Sequence, residues 1–347
     1  VISHVGLDPY CLPLRRPWRS AKGEAGERRG WLVRIEAGSL AGYGDCAPLP
    51  VAGTEDAATA WAWLCAWREQ ALGRPLDLVL ADLEDEGART PAARFATECA
   101  LADLLARAAG VPLACWLDPG AALSVPVNAA LGHLGGLTPR DVQASAAEGF
   151  RVFKVKVGLD GVETDLARLR ALAPVLPPGG QFRLDANGAW TLVDARRAVA
   201  ALNTLPVEAL EEPLRDPSPE HLGRLQAEAR FPLALDESWP GMGAASDPAM
   251  VRVRRLVLKP AVLGGLRRTL ALARAVGAAG LEVVVTSLIE SAAGLWPTVH
   301  LAAAIGSPVP QGLATAGWLA QDLGEGPLPG AGRIQVPQVP GSGFRSG

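Results

Sequence analysis

From residue 124 onward the chain repeats one pattern, a short apolar run followed by a turn and then a longer stretch with helical spacing of its apolar positions. The runs are "SVPVNAAL", "VFKVKVG", "QFRLDANGAW", "VEALEEP", "PLALDES", "RLVLKPAV", "EVVVTSLIES" and "PVPQGLAT". Apolar strands alternating with helices predict parallel pairing through right-handed crossovers, with the strands buried on both faces. Eight such units at a spacing of roughly 25 residues fit a closed barrel better than an open sheet. A doubly wound sheet is the alternative, but no G-x-G-x-x-G follows a strand to support dinucleotide binding. The first hundred residues have a different character, mixing strand-like "GWLVRIEAG" (30–38) with helical "AATAWAWLCAWREQAL" (57–72). Near the other end, "RIQVP" in a Gly/Pro-rich segment predicts a short strand added back onto the N-terminal domain.

Four of the barrel runs end alike. Leu184-Asp185, Leu210-Glu211, Leu235-Asp236 and Leu258-Lys259 each put a charged residue directly after a leucine and before a turn or helix start, at separations of 26, 25 and 23 residues. In a barrel, equivalent positions on neighbouring strands gather at the C-terminal rim, so Asp185, Glu211 and Asp236 converge. Converging carboxylates repel one another unless a cation joins them, and a hard divalent ion with oxygen ligands suits this, Mg²⁺ above all. The register separates Glu211 from Glu212, which points away by strand alternation and makes a supporting contact instead. By the same alternation Lys154, Lys156, Arg183 and Asp185 all face into the barrel.

Composition sharpens the lysines. The chain has four, Lys22, Lys154, Lys156 and Lys259, against 29 arginines, and three of the four sit in apolar runs. Arginine stays protonated at any relevant pH, whereas a buried lysine beside other cations can lose its proton and act as a base. Lys156 on the second strand and Lys259 on the sixth flank the predicted ion from opposite sides. That is an arrangement for carbon-acid chemistry: a lysine takes the α-proton of a carboxylate, and cations stabilise the enediolate.

Other classes recede. The 347 residues carry 49% hydrophobic and 20% charged residues and a net charge of −3, with no basic stripe, so a nucleic-acid partner is not expected. Five cysteines, with no C-x-x-C pair, predict a reduced cytoplasmic protein. No apolar run approaches the roughly 18 residues of a membrane span, and no signal core follows a basic segment. The four histidines are scattered, without zinc-site or triad spacing.

The motifs K-x-K (Lys154, Lys156), "LDANGAW", "LEEP", "LDES" and "LKP" resemble, in order and spacing, the enolase superfamily in its muconate-lactonizing subgroup. That superfamily's lysine base and Mg²⁺ are a known example of tuned acid–base chemistry. The resemblance implies a (β/α)7β TIM-like barrel at 96–325 and an α+β capping domain at 1–95, completed by about 326–347. It implies Asp185, Glu211 and Asp236 as ligands of Mg²⁺, with Mn²⁺ as a substitute, and Lys156 and Lys259 as the acid/base pair. Lys154 and Arg183 would bind a small carboxylate substrate, and residues 18–30 would close over it. The barrel end, "PQGLATAGWLAQDL", and Arg183 are similar to the o-succinylbenzoate synthase family of actinobacteria, whose reaction serves menaquinone biosynthesis. The D-x-D pair of dipeptide epimerases is replaced by Ala314-Thr315-Ala316. N-acylamino acid racemases and other cycloisomerase-like enzymes are the alternative, and the oligomeric state stays open, a monomer included.

Overall fold

The computed structural model describes residues 1–20, 23–85, 89–242 and 247–347, without the side chains of 16, 18–20, 23–25 and 84–85. An antiparallel sheet opens the chain, with β1 (His4–Ser20), β2 (Gly23–Ala37) and β3 (Leu40–Cys46) side by side in that order. Helices α1 (Ala57–Ala71), α2 (Leu76–Asp85), α3 (Pro91–Ala108) and α4 (Leu113–Leu117) follow. The Asp56 carboxylate starts α1 by accepting from Thr59 N at 2.7 Å, which satisfies a donor that the helix itself leaves open. α3 is buried nearly all round, as a helix held between two layers must be. It lies close on β3 because Gly42 and Gly44 have no side chain; a Cβ there would come within 2.1 Å of Ala100 O and 1.9 Å of Ala96 O.

After β4 (Ser124–Pro126) the barrel begins. Strands β5 (Ala129–His133), β6 (Val152–Lys156), β7 (Gln181–Asp185), β8 (Val207–Glu211), β9 (Leu233–Leu235), β10 (Arg255–Leu258) and β11 (Glu282–Val285) are parallel neighbours in chain order. The eighth strand is a two-residue bridge at 311–312. Gln311 N donates to Pro126 O at 2.7 Å, Asn128 N to Gln311 O at 3.0 Å, and Gly312 N to Val285 O at 2.9 Å, which closes the ring. Around it stand α5 (Pro139–Ala147), α6 (Val162–Leu172), α7 (Leu192–Leu202), α8 (Pro219–Glu228), α9 (Pro260–Leu263), α10 (Leu266–Ala278) and α11 (Ala292–Ile305). Between β9 and β10 the described residues form two 3₁₀ turns, Trp239–Met242 and Pro248–Val251, in a Gly- and Pro-containing stretch that disfavours a longer helix.

Strand alternation sorts the side chains. Phe153, Val155, Phe182, Leu184 and Leu258 point outward into the main core against the helices. Inside the barrel, Ala234, Val257, Val284 and Val309 form a small apolar cluster on the side of the later strands. The architecture is therefore the expected (β/α)7β barrel with an α+β N-terminal layer.

One detail differs from expectation. β12 (Arg333–Gln335) pairs antiparallel with β4, not with the N-terminal sheet, because β4 offers a free edge beneath the ring. The last residues do reach that sheet: the Phe344 ring meets Tyr43 edge-on at 5.3 Å, and Arg107 Nη2 donates to Phe344 O at 3.0 Å. The segment 18–30, read as a closing loop, belongs to the β1–β2 hairpin, with Trp18 opposite Ala25 and Ser20 opposite Gly23. Its tip, 21–22 with Lys22, lies outside the described residues. Among the described residues no helix is long and apolar enough to cross a membrane.

Candidate active site

Four adjacent strands deliver the charged residues to one end of the barrel in matched register. Lys156 pairs with Asp185 and Asp185 with Glu211, while Glu211 pairs with Ala234, two residues before Asp236. The side chains meet as that register requires. Lys154 Nζ lies 2.6 Å from Glu211 Oε2 and 3.2 Å from Asp185 Oδ2, so one ammonium bridges two carboxylates. Lys156 Nζ stands 3.3 Å from the same Asp185 oxygen and donates to Asn187 Oδ1 at 2.6 Å. Lys259 is paired with Asp236 across the opening. Lys154, Lys156, Asp185, Asp236 and Lys259 line a cavity of about 250 Å³. Glu211 lies beneath them, 2% exposed.

Burial works against the charges of Asp185, Lys154, Lys259 and Asp236, and neighbours decide the balance. For Asp185, burial is outweighed by Lys154 and Lys156, which hold its carboxyl well below the usual range. For Lys154, burial is outweighed by Asp185, Glu211 and Asp236, which push its pKa up. Lys259 is raised likewise, with Asp236 and Glu237 overcoming burial. Asp236 goes the other way for a carboxylate: burial raises it well above normal, Glu211 and Glu237 add to this, and Lys259 and Lys154 do not offset them.

The donor set fits a hard divalent ion. Three carboxylates reach one strand-end layer, and Glu211 Oε1 is buried with no hydrogen-bond partner. Among the described residues the three acids do not form one tight cluster: Lys154 stands between Asp185 and Glu211, and Asp236 is paired with Lys259. Asp185, Glu211 and Asp236 are the residues that would hold the ion.

Glu212 takes the supporting part assigned to it. Its backbone sits at φ +43°, and its Oε1 accepts from Asp236 N (2.7 Å), Ser238 N (3.0 Å) and Ser238 Oγ (2.9 Å). Those bonds hold the turn that presents Asp236. Burial, with Glu237 alongside, pushes Glu212 up to about 7 in spite of these donors.

Arg183 is a correction. It does face into the barrel, but it does not line the cavity. Its Nε and Nη2 are bound to Glu208 at 2.8 and 3.1 Å, and Nη1 donates to Asn128 Oδ1 at 3.0 Å and Pro310 O at 2.8 Å. Alternation fixed its face but not its depth. Glu208 also holds Arg255, at 2.6 Å, so two buried guanidinium groups share one carboxylate on the barrel floor. A bulge opposite Phe182 and Arg183 turns both Glu208 and Glu211 inward despite their odd spacing. Burial would raise Glu208, but Arg183 and Arg255 bring it down from 4.5 to about 2. Glu208→Gln is therefore expected to cost about 3–5 kcal/mol in urea unfolding, since it leaves the buried Arg183 without a counter-charge, while Arg255 keeps Glu282 at 2.7 Å. Because the folded pKa is depressed, the wild-type advantage should be complete above pH about 4.5 and fade as pH falls towards about 2. Equal stability of the two proteins at pH 7 would show that Arg183 is held by something else.

The sequence reading missed Asn187, Arg28 and the 286–291 loop. Asn187 lies within the quoted "LDANGAW", and its φ of +44° beside Gly188 at +74° marks the turn that aims it at Lys156. Arg28, from β2, lines the cavity from above and donates to Ile289 O at 3.3 Å and Ala47 O at 2.6 Å. Ser287 and Thr315 hydroxyls bond at 2.7 Å, and both residues line the cavity.

Residues 138–346 match the family described as enolase C-terminal domain-like. The o-succinylbenzoate synthase of Thermobifida fusca is 36% identical over 59% of this chain and 64% of its own length. That of Desulfotalea psychrophila is 26% identical over 88% of this chain and 91% of its own. Among solved structures, a dipeptide epimerase from Enterococcus faecalis, complexed with Mg and a dipeptide, superposes with a TM-score of 0.87 at 24% identity, covering 99% of each chain. The N-succinyl Arg/Lys racemase of Bacillus cereus gives 0.88 at 19% identity, covering 100% of this chain and 95% of its own. The chain belongs to the enolase superfamily, in its muconate-lactonizing subgroup.

Proposed function

We propose that this protein is an o-succinylbenzoate synthase of the cytoplasm, a Mg²⁺-dependent lyase acting on 2-succinyl-6-hydroxy-2,4-cyclohexadiene-1-carboxylate. The observation that carries the reading is one cavity with Lys156 and Lys259 on opposing walls and a neutral rim, Ala314 and Thr315, on the eighth strand. A substrate with a free ammonium group would find no acid at that rim; a carboxylate with a neutral ring suits it. Relatives named for this reaction support the choice. In the same reading residues 1–95, with 326–347, form the cap over the 96–325 barrel.

Asp185, Glu211 and Asp236 would hold Mg²⁺, which when bound supplies Lewis-acid charge at the substrate carboxylate. Lys156 takes the proton from C1, and the C–H electron pair moves into the carboxylate as an enediolate. As those electrons return to form the ring double bond, the C6–O bond breaks, and Lys156 gives its proton to the departing hydroxyl. Water leaves and the ring becomes aromatic. Lys259 stays protonated across the ring, a cation facing the developing π system. Lys154 keeps Asp185 charged, bonds Glu211 and adds positive potential beneath the carboxylate.

The same two lysines favour one second reading, racemisation of an N-succinyl amino acid, in which each serves one face of the α-carbon. Purified protein with Mg²⁺ should convert the cyclohexadiene to 2-succinylbenzoate, followed by the ultraviolet absorbance of substrate and product. Turnover of N-succinyl amino acids without turnover of the cyclohexadiene would replace the first reading by the second. Activity on neither would reject both.

A further inference from the structure

We infer that Arg28 is the cap-side anchor for a second substrate carboxylate, the one at the far end of the succinyl chain; the inference rests on the substrate proposed above. Arg28 is 3% exposed and lines the same cavity as the lysines. A guanidinium carries five N–H donors. Nε is bonded to Ile289 O at 3.3 Å, Nη1 to Pro48 O at 3.4 Å and Nη2 to Ala47 O at 2.6 Å. One N–H on each terminal nitrogen is left over, two donors, the number that a bidentate carboxylate takes.

Charge leads to the same place. Four basic side chains line the cavity, Arg28, Lys154, Lys156 and Lys259. Each lysine is paired with a carboxylate at the barrel mouth. Arg28 has only neutral carbonyl partners, and among the described residues it makes no ion pair. Two acids, Asp45 and Glu290, lie close enough to feel its charge, but neither bonds to it. Asp45 is taken up by Tyr10 Oη (2.5 Å), Ser291 N (2.7 Å) and Ser291 Oγ (2.9 Å). Glu290 turns back to Leu288 N at 2.9 Å, and burial pushes it up to about 7, which limits what it offsets near neutrality. Arg28 therefore has acids near it but no carboxylate bonded to it, and an incoming carboxylate would supply that direct partner. Leu14, Val51, Leu288 and Ala314, also on the cavity wall, provide neutral surface suited to the methylenes between two charged ends.

The test is calorimetric binding to the Mg²⁺-loaded protein of 2-succinylbenzoate and of 2-butyrylbenzoate, which has a methyl group where the distal carboxylate stands. Wild type should prefer the dicarboxylate by about 10- to 100-fold, the range expected for hydrogen bonds to a charged group. Arg28→Met should lose that preference while binding 2-butyrylbenzoate as wild type does, and Arg28→Lys should keep part of it. Equal wild-type affinities for the two compounds, or no binding of either, would overturn the inference. So would a preference intact in Arg28→Met, or an equal loss for both ligands, which would mean that Arg28 only holds the backbone at 47–48 and 289. A wild type that shows the preference but never dehydrates the cyclohexadiene would uphold Arg28 and reject the reaction.

Discussion

Lys156→Ala should lower the dehydration rate by at least the roughly 10²- to 10⁴-fold that a positioned general base contributes. The side chain is held from two sides, by Asn187 Oδ1 at 2.6 Å and Asp185 Oδ2 at 3.3 Å, at the end of β6 and on the cavity wall. Alanine leaves nothing else on that strand within reach, because Lys154, two residues back, is tied to Glu211 and Asp185. Lys259→Ala should also be severe, but through lost charge stabilisation on the opposite wall. Solvent exchange of the α-deuteron of N-succinyl amino acids separates the two parts. If both lysines move protons, each single variant should still exchange one enantiomer, the one faced by the remaining lysine. A Lys156→Ala protein that dehydrates the cyclohexadiene at near wild-type rate, with Lys259→Ala inactive, would place the base on the sixth strand instead.

Much of this site was legible because it rests on a one-dimensional regularity. In a parallel barrel a charged residue directly after an outward leucine must fall on the inner rim, so Asp185, Glu211, Asp236 and Lys259 identified one another across four strands. Lys154 and Lys156 followed from alternation alone. What alternation cannot carry is depth. Arg183 shares the face of Asp185 but sits one step lower, where Glu208 claims it. Glu208 itself was hidden by the bulge that breaks the period of two in β8. The first barrel run, "SVPVNAAL", proved to be two strands divided at Asn128, since β4 takes β12 as its partner while β5 enters the ring. Arg28 left no local signal; its importance arises only where the N-terminal sheet meets the 286–291 loop. Such contacts between distant segments have no signature in spacing.

Asp236→Asn should reduce activity by about a thousandfold or more while leaving the protein folded. The ion's Lewis-acid contribution is worth several kcal/mol, and each 1.36 kcal/mol is a factor of ten in rate. An amide in place of the carboxylate removes one of three charges that would bind the ion. The fold should not suffer, because burial and the charges of Glu211 and Glu237 outweigh the favourable pull of Lys259 and Lys154 on an ionised Asp236, and the substitution relieves that net cost. Thermal unfolding without metal should therefore occur at or above the wild-type temperature, and added Mg²⁺ should raise the wild-type midpoint but not that of the variant. Glu212→Gln is the internal control. It keeps a carbonyl oxygen for Asp236 N and Ser238, so its loss of activity should be much milder than that of Glu211→Gln. The reverse order would mean that Glu212 acts at the ion and Glu211 does not. Full wild-type turnover in excess chelator would remove the metal from the reaction altogether, and with it the reason for gathering three carboxylates at one rim.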